Sequence, residues 1–161
     1  MVPVPDWPVL VIGVGNGLRG DDAASGEVVR RLRERRTQAG IEVSEQLCEP
    51  GDLLDAWQGR DAVVLVDTMS SGEPPGTIRR FDVSGEGLAA RLGGSVSSHG
   101  FGLHEAIELG RALNRLPRRV IVFAVEGRDF AAGTTPSSEV EAAIAPLACA
   151  VLREAAELAK D

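Results

Sequence analysis

Tyrosine is missing from this chain altogether, and aromatic residues make up only 4% of its 161 positions. The core must therefore be assembled from Val, Leu, Ile and Ala. Cysteine occurs only at Cys48 and Cys149, too few for a disulfide framework. Both lie in apolar, regular-looking segments and are expected to be small core residues of a protein kept reduced. No apolar run approaches the ~20 residues that span a bilayer. Met1 to Pro8 lacks the basic start and apolar stretch of a secretory signal. Basic residues number 17 against 24 acids, a net charge of −7. A protein that tracks nucleic-acid phosphates needs a basic face, so that class is set aside. The expected protein is cytoplasmic and bound to neither membrane nor nucleic acid.

What is present is ordinary globular material, 43% apolar and 25% charged. One domain over residues 1–161 is expected, large enough to bury about 70% of its unfolded surface. Apolar runs recur at Val9–Val14, Ile41–Leu47, Ala62–Val66 and Val120–Val125. The first, third and fourth are nearly continuous in Val, Ile and Leu, as parallel strands covered on both faces require. The second alternates imperfectly and belongs nearer an edge. Helical spacing fills Asp22 to Arg36, Leu103 to Leu113 and Ser137 to Lys160. Leu103, Ala106, Ile107, Leu109 and Leu113 form the expected apolar stripe of the middle helix, and Pro146 is expected to kink or interrupt the last one. Pro74 to Val83 begins with turn residues and continues as a short strand, too close to the preceding strand for a helical crossover. It is expected to pair antiparallel. The fold class is α/β: a three-layer αβα domain with a mostly parallel, twisted, five-stranded sheet and one antiparallel strand.

In such sheets ligands gather beyond the carboxyl ends of the strands. Asp22 follows the glycine-rich stretch Gly13 to Gly20, Asp67 ends the run Val63-Val64-Leu65-Val66, and His99 opens the loop before a helix. Two carboxylates and an imidazole from distant segments are what an open metal site needs. Taken singly, Asp67 is a turn residue, His99 a loop histidine, and His104, a few residues on, a second candidate. Gly15-Asn16-Gly17-Leu18-Arg19-Gly20 also matches the Gly-x-Gly-x-x-Gly dinucleotide pattern. The carboxylates that follow argue against it. A pyrophosphate rests on a helix N-terminus, and Asp21 and Asp22 would repel it there. Asp21 is expected to cap its own helix, leaving Asp22 to face the cleft.

With these residues in hand, the chain resembles the nickel-iron hydrogenase maturation endopeptidases along nearly its whole length. The family's opening Gly-x-Gly-Asn-x-Leu-x-x-Asp-Asp/Glu stands as Gly13 to Asp22. Its strand ending in Asp resembles Val63 to Asp67, followed by a Pro-Gly-Thr turn at Pro75-Gly76-Thr77. Its Ser-x-His-x-x-Gly-Leu segment resembles Ser97 to Leu103, and its Leu-Pro-x-x-Val strand entry resembles Leu116 to Val120. Two departures stand out: Glu49-Pro50-Gly51-Asp52 replaces the family's Asp-Gly-Gly-Thr, and Ala23 replaces a glycine.

The resemblance implies a metal-dependent endopeptidase whose Asp22, Asp67 and His99 are both the metal ligands and the catalytic residues. Its partner would be a hydrogenase large-subunit precursor, relieved of a C-terminal extension once nickel is installed. The precursor would supply that nickel, with no nucleotide involved, and the enzyme would act as a monomer. Two other readings stay open: a non-catalytic metal- or precursor-binding maturation factor of the same fold, and a dinucleotide-binding oxidoreductase. No Gly-x-Ser-x-Gly elbow and no His-Glu-x-x-His competes.

Overall fold

A computed structural model describes residues 8–35, 40–46, 49–85, 96–97 and 103–161. The strands are β1 (Val9–Val14), β2 (Ile41–Gln46), β3 (Ala62–Ser70), β4 (Ile78–Asp82), β5 (Val96–Ser97) and β6 (Arg119–Glu126). The helices are α1 (Ala24–Glu34), α2 (Pro50–Trp57), α3 (Leu103–Ala112) and α4 (Ser138–Leu158), with a 3-10 turn at Gly20–Ala23 ahead of α1.

The sheet runs β2-β1-β3-β6-β4, with β5 paired to β3 off that path. β1 pairs parallel with β2 and β3, and β3 with β6, while β4 lies antiparallel on β6 and β5 antiparallel on β3. The five expected strands thus form in the expected mixture, and the two-residue β5 is added to them. β2 stands at an edge, as its imperfect alternation suggested.

Alternation along each central strand feeds two apolar layers. Val9, Val11, Val64 and Val66 pack against α1 and α4, through residues such as Val28, Leu32, Ile144 and Leu147. Leu10, Ile12, Val63 and Leu65 pack against α2 and α3, through Leu53, Trp57, Ala106 and Ile107. The buried Trp57 indole donates to the Arg115 carbonyl at 2.9 Å, so burying it strands no polar group.

Several expectations are corrected. Helix α2 was not foreseen; Pro50 at its start and Leu53, Leu54 and Trp57 on one face are its signals. Leu109 and Leu113 are exposed while Gly110 is buried, because α3 turns a narrower face to the sheet. α4 runs unbroken through Pro146, which lies on its exposed side. Cys149 is exposed on the same helix, where its sulfur receives an Arg35 N–H at 3.6 Å, so it is not a core residue. Cys48 lies outside the described residues.

At the last register pair of β6 with β3, opposite Met69, Glu126 is buried. Its buried carboxylate accepts from the Ser71 amide at 2.7 Å, the Ser71 hydroxyl at 2.7 Å and the Gly72 amide at 3.1 Å. These bonds hold the turn that leaves β3 for β4.

Candidate active site

From β1 the chain crosses to β2 on one side and later returns to β3 on the other. The carboxyl ends of β1 and β3 therefore flank the point where strand order reverses, the place where open α/β sheets bind ligands.

Beyond β1 the backbone folds tightly. The Asn16 side-chain carbonyl accepts from the Leu18 amide at 2.9 Å, and its main-chain carbonyl accepts from Arg19 at 3.1 Å. Asp22, 1% exposed, accepts the Asn16 amide through Oδ2 at 3.0 Å. A Cβ on Gly15 would stand 2.5 Å from the Asp22 carbonyl oxygen, so only glycine lets the turn close on Asp22. A Cβ on Gly13 would strike Val29 Cγ2 at 2.6 Å, which makes Gly13 the seat of α1 on β1. Gly20, at φ +54°, would bring a Cβ within 2.3 Å of the Asp129 carbonyl. The glycines of the dinucleotide-like pattern are thus used largely by the protein's own packing.

Asp21 does not cap its own helix. The 3-10 turn and α1 lack side-chain caps, and the Asp21 carboxylate points the other way, fully buried. Oδ2 accepts from the Arg128 and Asp129 amides at 2.6 and 2.9 Å. Oδ1 accepts from the Ser137 amide at 2.5 Å and hydroxyl at 2.9 Å. Burial pushes its pKa up, but the hydrogen bonds from Arg128, Asp129 and Ser137 outweigh it and hold the carboxyl below its ordinary value.

Asp67 does not end β3, which continues to Ser70. The expected boundary marks a change of neighbour. Val66 is the last residue in register with β1, opposite Gly13, whereas Asp67 to Met69 stay paired with β6. Asp67 is thus the first residue past the last register pair of β3 with β1, 5% exposed, with its Oδ1 accepting from the Thr68 amide at 2.7 Å. By alternation it lies on the same sheet face as Leu65 and Met69.

His99, the third predicted ligand, lies outside the described residues. His104 is described, half-buried in the first turn of α3, and does not line the cleft beside Asp22.

That cleft, about 410 Å³, is lined by Gly13, Gly15, Gly17, Asp22, Gly26 and Glu45 among others, with the Glu27–Arg30 ion pair also in its wall. Glu45 was missed in the sequence. Its signal was its place near the carboxyl end of β2, and a Cβ on Gly26 would lie 2.9 Å from its Oε1. Glu49 instead precedes α2, where its carbonyl accepts from Leu53 at 3.0 Å.

Among the described residues no group of three or more His, Cys, Asp or Glu side chains is placed to hold a metal ion. Asp22 and Asp67 fit part of such a donor set. Both are buried carboxylates, one in the turn after β1 and one on the neighbouring β3, and oxygen donors suit a hard or borderline divalent cation.

Fold and site together define an α/β protein with a polar, acid-lined site at the reversal point of its sheet. The family model for hydrogenase maturation proteases matches residues 27–154, and the chain belongs to that family. It is 29% identical to the hydrogenase 2 maturation protease of Escherichia coli over 142 residues, covering 86% of this chain and 84% of that protein. It is 28% identical to the hydrogenase expression/formation protein HupD of Thiocapsa roseopersicina over 126 residues. That match takes in 75% of this chain, and it spans about half of HupD's length, 55%. The solved structure of the hydrogenase maturating endopeptidase HybD from E. coli superposes with a TM-score of 0.80 at 26% identity, covering 92% of each chain. The [NiFe] hydrogenase maturation protease HybD from Thermococcus kodakarensis gives 0.75 at 26% identity, covering 91% of this chain and 98% of that one.

Proposed function

We propose that this chain is an endopeptidase that cuts the C-terminal extension from a nickel-loaded hydrogenase large-subunit precursor, working as a cytoplasmic monomer. The observation that carries the reading is a buried Asp22 in the turn that follows β1 and a buried Asp67 on the neighbouring β3, just beyond its last register pair with β1, in a chain of the maturation protease family. The polar cleft beside Asp22, about 410 Å³, supports it as a place for substrate. Among the described residues no helix is long and apolar enough to cross a membrane.

Asp22, Asp67 and His99 are the residues proposed to hold a divalent cation, with the nickel of the precursor entering as part of the substrate. Bound there, such a cation supplies Lewis acidity toward a carbonyl and lowers the pKa of a coordinated water. The protein's own contribution is positional. The Asn16 amide holds one Asp22 oxygen, the Thr68 amide holds one Asp67 oxygen, and the buried setting of both excludes bulk water.

The test is incubation with candidate precursors, with and without nickel, followed by mass measurement of the product. A new C-terminus formed only on the nickel-loaded precursor supports the proposal. A precursor bound at unchanged mass assigns the chain to a non-catalytic maturation factor.

A further inference from the structure

Asp21 and Asp22 are consecutive acids that point apart. Asp22 lines the cleft, whereas Asp21 is wholly buried with both oxygens taken by main-chain amides and the Ser137 hydroxyl. Engaged in this way, Asp21 is unable to reach a substrate or serve as a base. Its contacts instead join the turn after β1 to the segment between β6 and α4. The Asp21 amide donates to the Asp129 carbonyl at 2.8 Å, Gly20 to Thr134 at 3.2 Å, and Gly133 back to Leu18 at 2.8 Å. Ser137, the residue before α4, donates its hydroxyl to Asp21 and makes no side-chain cap to its own helix. The Asp21 carbonyl in turn accepts from the Thr68 hydroxyl at 3.2 Å, so each of Asp22 and Asp67 is one residue from a member of that bonded pair.

We infer that Asp21 is the positioning residue of this site: anchored on residues 128–137 and tied to Thr68, it fixes Asp22 and Asp67 relative to one another. This rests on the proposed role of those two carboxylates. The acidic pair then divides its labour, the second acid facing the ligand and the first holding the second in place. Partners that orient ligating carboxylates are typically worth roughly 10- to 100-fold in metal affinity or activity.

The experiment uses the full chain with Asp21→Asn, Thr68→Val and Thr68→Ser, all checked for wild-type circular dichroism. Three measurements are made: affinity for Ni²⁺ alone by calorimetry, steady-state kinetics on the precursor for kcat and KM, and hydrogen exchange at the Asn16 amide. Asp21→Asn and Thr68→Val are expected to lose roughly 10- to 100-fold in nickel affinity and in kcat at constant KM. The Asn16 amide, bonded to Asp22, is expected to exchange faster in both. Thr68→Ser keeps the hydroxyl and restores all three. If both variants only melt earlier, with nickel affinity, kcat and Asn16 exchange unchanged, Asp21 is merely structural and the inference is overturned. Should Asp21→Asn fail to fold, Thr68→Val decides alone. A wild-type protein that neither binds nickel nor cleaves any precursor ends the proposed function, while Asn16 exchange still decides whether Asp21 holds Asp22.

Discussion

Gly15 and Asp22 touch so closely that a methyl group on the first would lie 2.5 Å from the carbonyl oxygen of the second. A backbone obstacle of that kind does not yield as a flexible side chain would. Gly15→Ala is therefore expected to push the Asp22 turn out of place and abolish precursor cleavage in a chain that still folds. Gly17 is the internal control: a Cβ there meets nothing within 4 Å, and Gly17→Ala should stay within about 0.5 kcal/mol of wild type. Side-by-side cleavage assays and urea melts of the two variants check this.

Asp22→Asn, Asp67→Asn and His99→Ala are each expected to leave wild-type circular dichroism and no processed product. Asparagine keeps the shape of aspartate while removing its charge and exchanging one acceptor oxygen for an NH2 donor, so a loss in the first two with the fold intact reports the carboxylate and not its volume. Full activity in any two of the three removes them from the site.

Acid should act on Asp21 only below the pH at which an ordinary aspartate titrates. Its folded-state pKa lies below the ordinary 3.8, so the stability it contributes is complete above that value. It is lost as pH falls below 3.8 through the folded-state pKa. Asp21→Asn should be less stable than wild type at neutral pH, and the gap between them should narrow as acid is added below pH ~4. Urea midpoints at a series of pH values supply the comparison; a gap that does not change with pH contradicts it.

Glu126 predicts a stability effect away from the cleft. Glu126→Ala strands the amides of Ser71 and Gly72 and the Ser71 hydroxyl, an expected loss of about 1–3 kcal/mol. Glu126→Gln retains an acceptor and should lose less. Chemical denaturation ranks the two.

How far the sequence reveals these features depends on whether each leaves a local trace. Strands buried on both faces must be apolar throughout, so β1, β3 and β6 stand out as unbroken runs. Asp22 is legible because the glycines that make room for it are its near neighbours. α2 escaped because Pro50 and Gly51 look like turn residues and its eight-residue span gives little periodicity. β5 has only two residues and exists through its pairing with β3. The partners of Asp21 are main-chain amides 107 to 116 positions away, and an amide N–H leaves no mark on residue type. Local reasoning therefore gave Asp21 a helix to cap, and tertiary structure gave it a different anchor.

The anchoring of Asp21 on Arg128, Asp129 and Ser137 also bears on how the protein is made. A ribosome that has delivered the first hundred residues has already produced Asp22 and Asp67, yet residues 128–137, which hold Asp21, are still untranslated. The cleft can set only after β6 has slotted between β3 and β4 and the segment behind it has emerged. The anchor of Asp21 therefore forms only once residues 128–137 have been made.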